Sequence, residues 1–289
     1  MNEQALTFDC EGDTLVGVLH AAGVPAQRGV LIVVGGPQYR VGSHRQFVLL
    51  ARQLAAQGIP VLRFDYRGMG DSGGEKRSFE RVDADLRCAV DGFFERVPGL
   101  RDVAIWGLCD AASAALFYAH ADPRVSGIVL LNPWVHDERG SARVYLRHYY
   151  LQRLFQGSLW KKIGSGEFSL RRAAAGLSEL LVAAVRPAPA QGPGAPGTGE
   201  PRDSAGEPFT ARMEHGLRDF RGRVLLILSG NDFTAQEFKD LVAGSRGWRR
   251  RIAGERVTRH DLAAANHTFS RREWRDQVAQ WTTAWLKTF

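Results

Sequence analysis

One stretch constrains the fold of this chain more than any other: VAIWGLCDAASAALFYAH, from Val103 to His120. An apolar run passes through Gly107-Leu108-Cys109-Asp110-Ala111-Ala112 into an alanine-rich segment with strong helix propensity. The pattern glycine, any residue, nucleophile, any residue, small residue belongs to a sharp strand-to-helix turn. Such a turn strains the backbone of its central residue and holds that side chain out in the open. Positions two before and two after must be small, or they collide across the turn. Gly107, Ala111 and Ala112 meet that need, which makes Cys109 a candidate nucleophile. A helix beginning at Asp110 points the positive end of its dipole at the sulfur, so the pattern predicts a depressed thiol pKa. The competing reading is a small buried residue, because free cysteine packs like a small hydrophobe.

The rest of the chain alternates short apolar runs with longer helical patterns. ALTFD and TLVGVLH read as an N-terminal hairpin, followed by the strands GVLIVVGG, IPVLRFDYRG, DVAIWG, VSGIVLLNPW, GRVLLILSGND and ERVTRHDL. Between them, SHRQFVLLARQLAAQG reads as an amphipathic helix with Ser43 as N-cap and Gly58 as its stop, Ser78–Val97 is helical, and Ser270–Phe289 is the closing helix. This alternation predicts an α/β fold: a doubly wound, mostly parallel, eight-stranded sheet with helices on both faces. It breaks after the sixth strand. Residues 1–134 and 216–289 are expected to form the core, and 135–215 a helical lid over the strand ends, where such sheets bind ligands. Within that insertion, Tyr145, Tyr149, Tyr150, Phe155 and Trp160 could cover a pocket. The segment near 186–208 is rich in proline and glycine, has almost no apolar anchors, and is expected to be flexible.

Partners for Cys109 lie at the expected strand ends. Asp232 follows the apolar run LLILSGN, and His267 sits in a loop between the last strand and the last helix. In that chain order a carboxylate orients an imidazole, which takes the proton of the nucleophile and later returns it to the leaving group. His260 is the rival base and Asp137 the rival acid. The segment VVGGPQYRVGSH follows the third strand and should supply one oxyanion donor, the backbone N–H of Asp110 being the other. Pro37 has no N–H to give, so Gln38 is the first choice and Gly36 the second. Arg40, Tyr39, His44 and Arg45 could line the pocket and meet an anionic group. DYRGMGDSGG, a glycine-punctuated turn after the fourth strand, reads as structural.

The bulk numbers set limits. The chain has 289 residues, is 44% hydrophobic and 24% charged, and carries a net charge of +7. Its arginines are spread along the sequence without an accompanying stacking platform, which argues against nucleic-acid binding. No apolar run approaches the roughly 20 residues of a membrane span. Three cysteines at unrelated spacings form no disulfide framework and no zinc motif. The expectation is a cytoplasmic enzyme without metal or other cofactor.

Taken together, GGPQYRVGSH, DYRGMGDSGG, WGLCDAASA, GNDFTA and NHTFS resemble the α/β-hydrolase superfamily, and within it the exosortase A system-associated hydrolase 1 family. Members of that branch occur beside bacterial exopolysaccharide and protein-sorting genes and are described as hydrolase or acyl-transfer enzymes. The resemblance implies an acyl hydrolase of esterase or thioesterase type acting on a small acyl ester or thioester through Cys109, His267 and Asp232. An acyltransferase with an acyl carrier or a saccharide as acceptor is the alternative, and a non-catalytic binding module the third reading.

Overall fold

The computed structural model describes residues 2–36, 38–135 and 208–289. The insertion expected at 135–215 therefore falls largely outside the described residues, and with it Asp137, the five aromatics and the segment near 186–208. Of the segment's described end, residues 209–215 form the first part of a helix that packs on the core.

Eight strands make one sheet: β1 (Asn2–Cys10), β2 (Asp13–Ala21), β3 (Arg28–Val33), β4 (Val61–Asp65), β5 (Asp102–Leu108), β6 (Val125–Leu131), β7 (Arg223–Asn231) and β8 (Val257–Asn266). Their order is β1-β2-β4-β3-β5-β6-β7-β8. The β1–β2 and β2–β4 pairs are antiparallel and every other pair is parallel. The N-terminal hairpin closes through Glu11 and Gly12, both at positive φ. A two-residue turn of that hand matches the twist of the flanking strands.

Seven helices lie among the described residues: α1 (Gln46–Ala56), α2 (Asp83–Arg96), α3 (Asp110–Tyr118), α4 (Phe209–Asp219), α5 (Phe233–Gly244), α6 (Arg246–Ile252) and α7 (Arg272–Leu286). The strand sequences alternate between two cores with the period of two that a pleated strand imposes. Leu31, Val33, Val103, Ile105, Ile128 and Leu130 face α2 through α6, whereas Val30, Ile32, Ala104, Trp106, Val129 and Leu131 face α1 and α7. Both faces of the central strands are covered, which is why their sequences read as unbroken apolar runs. Helix α4 joins the first core through Met213 and Leu217.

Ser43 does not cap α1. It opens a single 3-10 turn, Ser43–Arg45, in which His44 and Arg45 both adopt left-handed backbone angles, and α1 starts only at Gln46 without a side-chain cap.

The turn after β4 is built around Asp65, which is fully buried. Its carboxylate accepts the backbone N–H of Arg40 at 2.6 Å and of Asp71 at 3.1 Å, and pairs with the Arg40 guanidinium. Ser72 ties the turn to β2 by accepting the Val16 N–H at 2.8 Å. Two residues beyond Asp65, Arg67 is likewise buried and forks onto Asp85 of α2 through two 3.0 Å bonds. Positive charge brought inside is matched by carboxylates, as burial requires.

Candidate active site

Cys109 sits between β5 and α3 with φ 64° and ψ −126°, the strained conformation expected of a nucleophile at a tight elbow. The size restriction is visible two residues before it. A Cβ at Gly107 would lie 2.6 Å from the backbone C and O of Ala111, closer than atoms can approach. The elbow is pinned from beneath: the Cys109 N–H donates to Leu131 O at 2.9 Å, and the Cys109 carbonyl accepts from Trp134 N at 3.2 Å.

Asp232 and His267 come together as their chain order suggests. His267 Nδ1 lies 2.9 Å from Asp232 Oδ2. The carboxylate is almost fully buried, and it also caps α5 by accepting from the backbone N–H of Thr234 at 3.3 Å and of Ala235 at 3.2 Å. Asp232 thus both caps the helix and holds the imidazole. The cap bonds fix the carboxylate, and the carboxylate fixes the ring. With Nδ1 engaged, Nε2 is the nitrogen left for the nucleophile. The electrostatics place these groups in one neighbourhood: Cys109 feels the Asp232 charge, and Asp110 feels that of His267. His260, the rival base, is stacked on Trp281 with ring centroids 4.4 Å apart, so its ring is held by packing on α7.

Two expectations about this site are corrected. The Cys109 thiol is shifted upward rather than downward. Burial pushes it up to about 12, and the neighbouring Asp110 and Asp232 carboxylates push the same way, against the Asp110 backbone N–H, which favours the thiolate. Desolvation and like charge therefore set the direction of the shift. Gly36 is also not a free oxyanion donor: its N–H is spent on Asp110 Oδ2 at 2.7 Å. The Gln38 side chain accepts from Ser43 N at 3.2 Å, which fixes the loop around it. The Arg40 guanidinium, expected to meet an anionic group, is ion-paired with Asp65 and Asp71. Tyr39 is exposed, and its carbonyl accepts from Gly42 N at 2.9 Å. His44 lies in the 3-10 turn already described.

Asn132 is the residue that sequence reasoning missed. It is fully buried just past β6, at φ 43°. Its Oδ1 accepts from Ser229 N at 2.9 Å, and its Nδ2 donates to the His267 carbonyl at 3.1 Å. It therefore ties β7 to the loop that carries the base. The dipeptide Asn132-Pro133 after an apolar strand was the available signal, since asparagine before proline marks a turn and tolerates left-handed backbone. Asn266 completes the loop by bonding Ser270 through both ends of its amide, at 2.8 and 3.1 Å.

Comparison with known proteins places this geometry. A stretch of 139 residues is 28% identical to the polyketide transferase grgF of a Penicillium species, covering 45% of this chain and 44% of that protein. In three dimensions the chain is similar to the Pyrococcus furiosus esterase Pf2001, with a TM-score of 0.65 at 14% identity over 100% of this chain and 91% of that one. It is also similar to Est1E of Butyrivibrio proteoclasticus, solved with ferulic acid bound, with a TM-score of 0.61 at 14% identity over 98% of each chain. The fold is that of the α/β hydrolases. The family Hydrolase_4, described as serine aminopeptidase, S33, matches residues 25–169, from the strand before the glycine turn through the elbow. That match spans half of the sequence, and the protein therefore belongs to the Hydrolase_4 family of α/β hydrolases, with cysteine at its elbow.

Proposed function

We propose that the protein is an acyl hydrolase of esterase or thioesterase type that works through an acyl-cysteine intermediate. The observation that carries this reading is the 2.9 Å contact between His267 Nδ1 and Asp232 Oδ2 beside a cysteine held at a strained elbow. Because the resting group is a thiol, the proton leaves as the bond forms. His267 Nε2 takes the proton from Cys109 Sγ while sulfur attacks the acyl carbonyl, and Asp232 stabilises the imidazolium. The Asp110 N–H, and Gln38 as proposed second donor, stabilise the oxyanion, an effect worth roughly 3–4 kcal/mol per donor in enzymes where it has been tested. The intermediate collapses, His267 protonates the departing alkoxide or thiolate, and the acyl group remains on sulfur. Water, deprotonated by His267, then attacks the thioester and releases the acid and Cys109.

A second reading replaces that water with an acceptor hydroxyl, which makes the protein an acyltransferase. The likeness to a polyketide transferase favours it. The motif resemblance to the exosortase-associated branch extends either reading to acyl chemistry linked to exopolysaccharide. Intact-mass measurement after exposure to a panel of acyl esters and thioesters tests the proposal. An acyl adduct mapped to Cys109 and absent from Cys109→Ala is expected, and turnover without dependence on Cys109 overturns the reading. Adding a saccharide acceptor to the same reaction and analysing the product separates transfer from hydrolysis.

A further inference from the structure

The acyl chemistry above uses the backbone of Asp110 but not its side chain, and a carboxylate beside a nucleophilic sulfur works against thiolate formation. The structure nevertheless gives it a built environment. Oδ2 accepts the Gly36 N–H at 2.7 Å, and Oδ1 accepts the Ala111 N–H at 3.0 Å. Oδ1 also presses on Gly35, where an added Cβ would lie 2.1 Å from it. One side chain at the start of α3 therefore clasps the turn that follows β3: Gly35 makes room for it, and Gly36 supplies the bonded amide at φ 60°. The turn so held is the one from which an oxyanion donor is expected, and the amide so occupied is one of the donors considered.

We propose that Asp110 is a positioning residue: its carboxylate latches the Gly35–Gly36 turn to the nucleophile elbow, masks the Gly36 amide and sets a negative charge against thiolate formation at Cys109 in the resting protein. The proposal rests on the reading of Cys109 as nucleophile. An acyl oxygen that has become negatively charged can compete for the Gly36 N–H with a carboxylate, whereas a neutral carbonyl oxygen competes poorly, because hydrogen bonds to ionised acceptors are roughly twice as strong. The latch thus opens for the charge that develops in the reaction. Tyr66 and the Cys109 thiol both feel the Asp110 charge and are pushed up by it, His267 attracts it, and burial holds the Asp110 carboxyl above the usual range.

Two variants test the latch without any substrate. Asp110→Asn keeps the shape and an acceptor oxygen but removes the charge. Alkylation of Cys109 by iodoacetamide, followed across pH by peptide mapping, should shift to lower pH and run at least about threefold faster at pH 8. Asp110→Ala removes the clasp, and hydrogen exchange at the Gly36 amide should accelerate at least about tenfold. An unchanged alkylation profile in Asp110→Asn, or unchanged Gly36 exchange in Asp110→Ala, overturns the proposal. If Asp110→Ala does not fold, the alkylation profile of Asp110→Asn decides alone. Neither measurement requires turnover. Shifts in both with no acyl adduct on Cys109 would sink the acyl-hydrolase reading and leave the latch standing, and an adduct without those shifts would do the reverse.

Discussion

Cys109 shows how far one residue's chemistry depends on its surroundings. A thiol raised to about 12 is almost wholly protonated at neutral pH, so in the proposed mechanism its proton must pass to His267 in the act of transfer. In the resting protein, alkylation of Cys109 by iodoacetamide should therefore be slow at pH 7 and still climbing at pH 10. A rate that levels off near pH 7 in peptide mapping would contradict this. Cys109→Ala should abolish turnover and leave the melting temperature nearly unchanged. Cys109→Ser should fold and turn over more slowly, because the alkoxide is harder still to form. A single set of rate and melting measurements on the two variants checks both. Asp232→Asn separates the two roles of that residue. Asparagine caps a helix about as well as aspartate, so α5 should persist while kcat falls roughly 10²–10⁴-fold as the imidazolium loses its counter-charge. Circular dichroism beside kcat reads the two roles apart.

At the level of elements, the site is assembled where β5, β6, β7 and β8 end together. Parallel strands bring their C-terminal ends to one edge, and Cys109, Asn132, Asp232 and His267 follow β5, β6, β7 and β8 in turn. Backbone contacts between the loops keep these groups in register, and Asn132 carries two of them. Asn132→Ala strips the Ser229 N–H of its partner and frees the His267 carbonyl. A buried donor left unsatisfied costs about 1–3 kcal/mol. The expected outcome is a lower melting temperature together with a reduced kcat at nearly unchanged KM, because the base loses its footing rather than the substrate its pocket. A normal kcat in a destabilised Asn132→Ala protein would show that the bond serves stability alone.

The whole molecule carries a pH dependence of its own, and it starts far from the site. His20 on β2 is fully buried, accepts a hydrogen bond from Arg63 Nε at 2.9 Å, and has Glu3 3.8 Å from Nδ1. Burial, reinforced by the Arg63 charge, lowers its pKa to about 4, with Glu3 opposing. The folded state therefore binds fewer protons than the unfolded chain between the ordinary histidine value and about 4. Its contribution to stability is complete above about 6.5 and is lost as pH falls through that window, by on the order of 3 kcal/mol in all. Melting temperatures recorded from pH 7 to 4.5 should fall for the native protein and flatten in His20→Gln, which keeps an acceptor for Arg63 without the titration. The charge balance of the sequence, by contrast, does not create an open basic surface over the paired regions. Arg52, Arg67, Arg124 and Arg259, among others, are ion-paired with carboxylates. No helix of the described residues is long and apolar enough to cross a membrane.

Much of this was legible in the sequence because the physics involved is local. The eight strands announce themselves through apolar runs and turn residues. The elbow does so through the small residues that its geometry demands, and the Asp232–His267 pair through its place after the last strands. Asp232 and His267 were expected to meet at a strand end, and they do, whereas His260 lies within β8 and stacks on Trp281. What depends on groups distant in sequence could not be read this way. Arg40 looked available for an anion until Asp65 and Asp71 were seen to ion-pair with it. Gly36 looked like a free donor until the Asp110 carboxylate was found on its amide. The dipole argument for an acidic thiol was sound for an isolated helix end, but burial and two neighbouring carboxylates reversed its outcome. By itself, then, the sequence determined the sheet, the elbow and the strand ends at which Cys109, Asp232 and His267 stand, since periodicity and steric size act within a few residues. Only the tertiary structure decided which polar atoms remain free and which way the thiol titrates, because hydrogen-bond partners and desolvation are set by residues that meet only when the chain is folded.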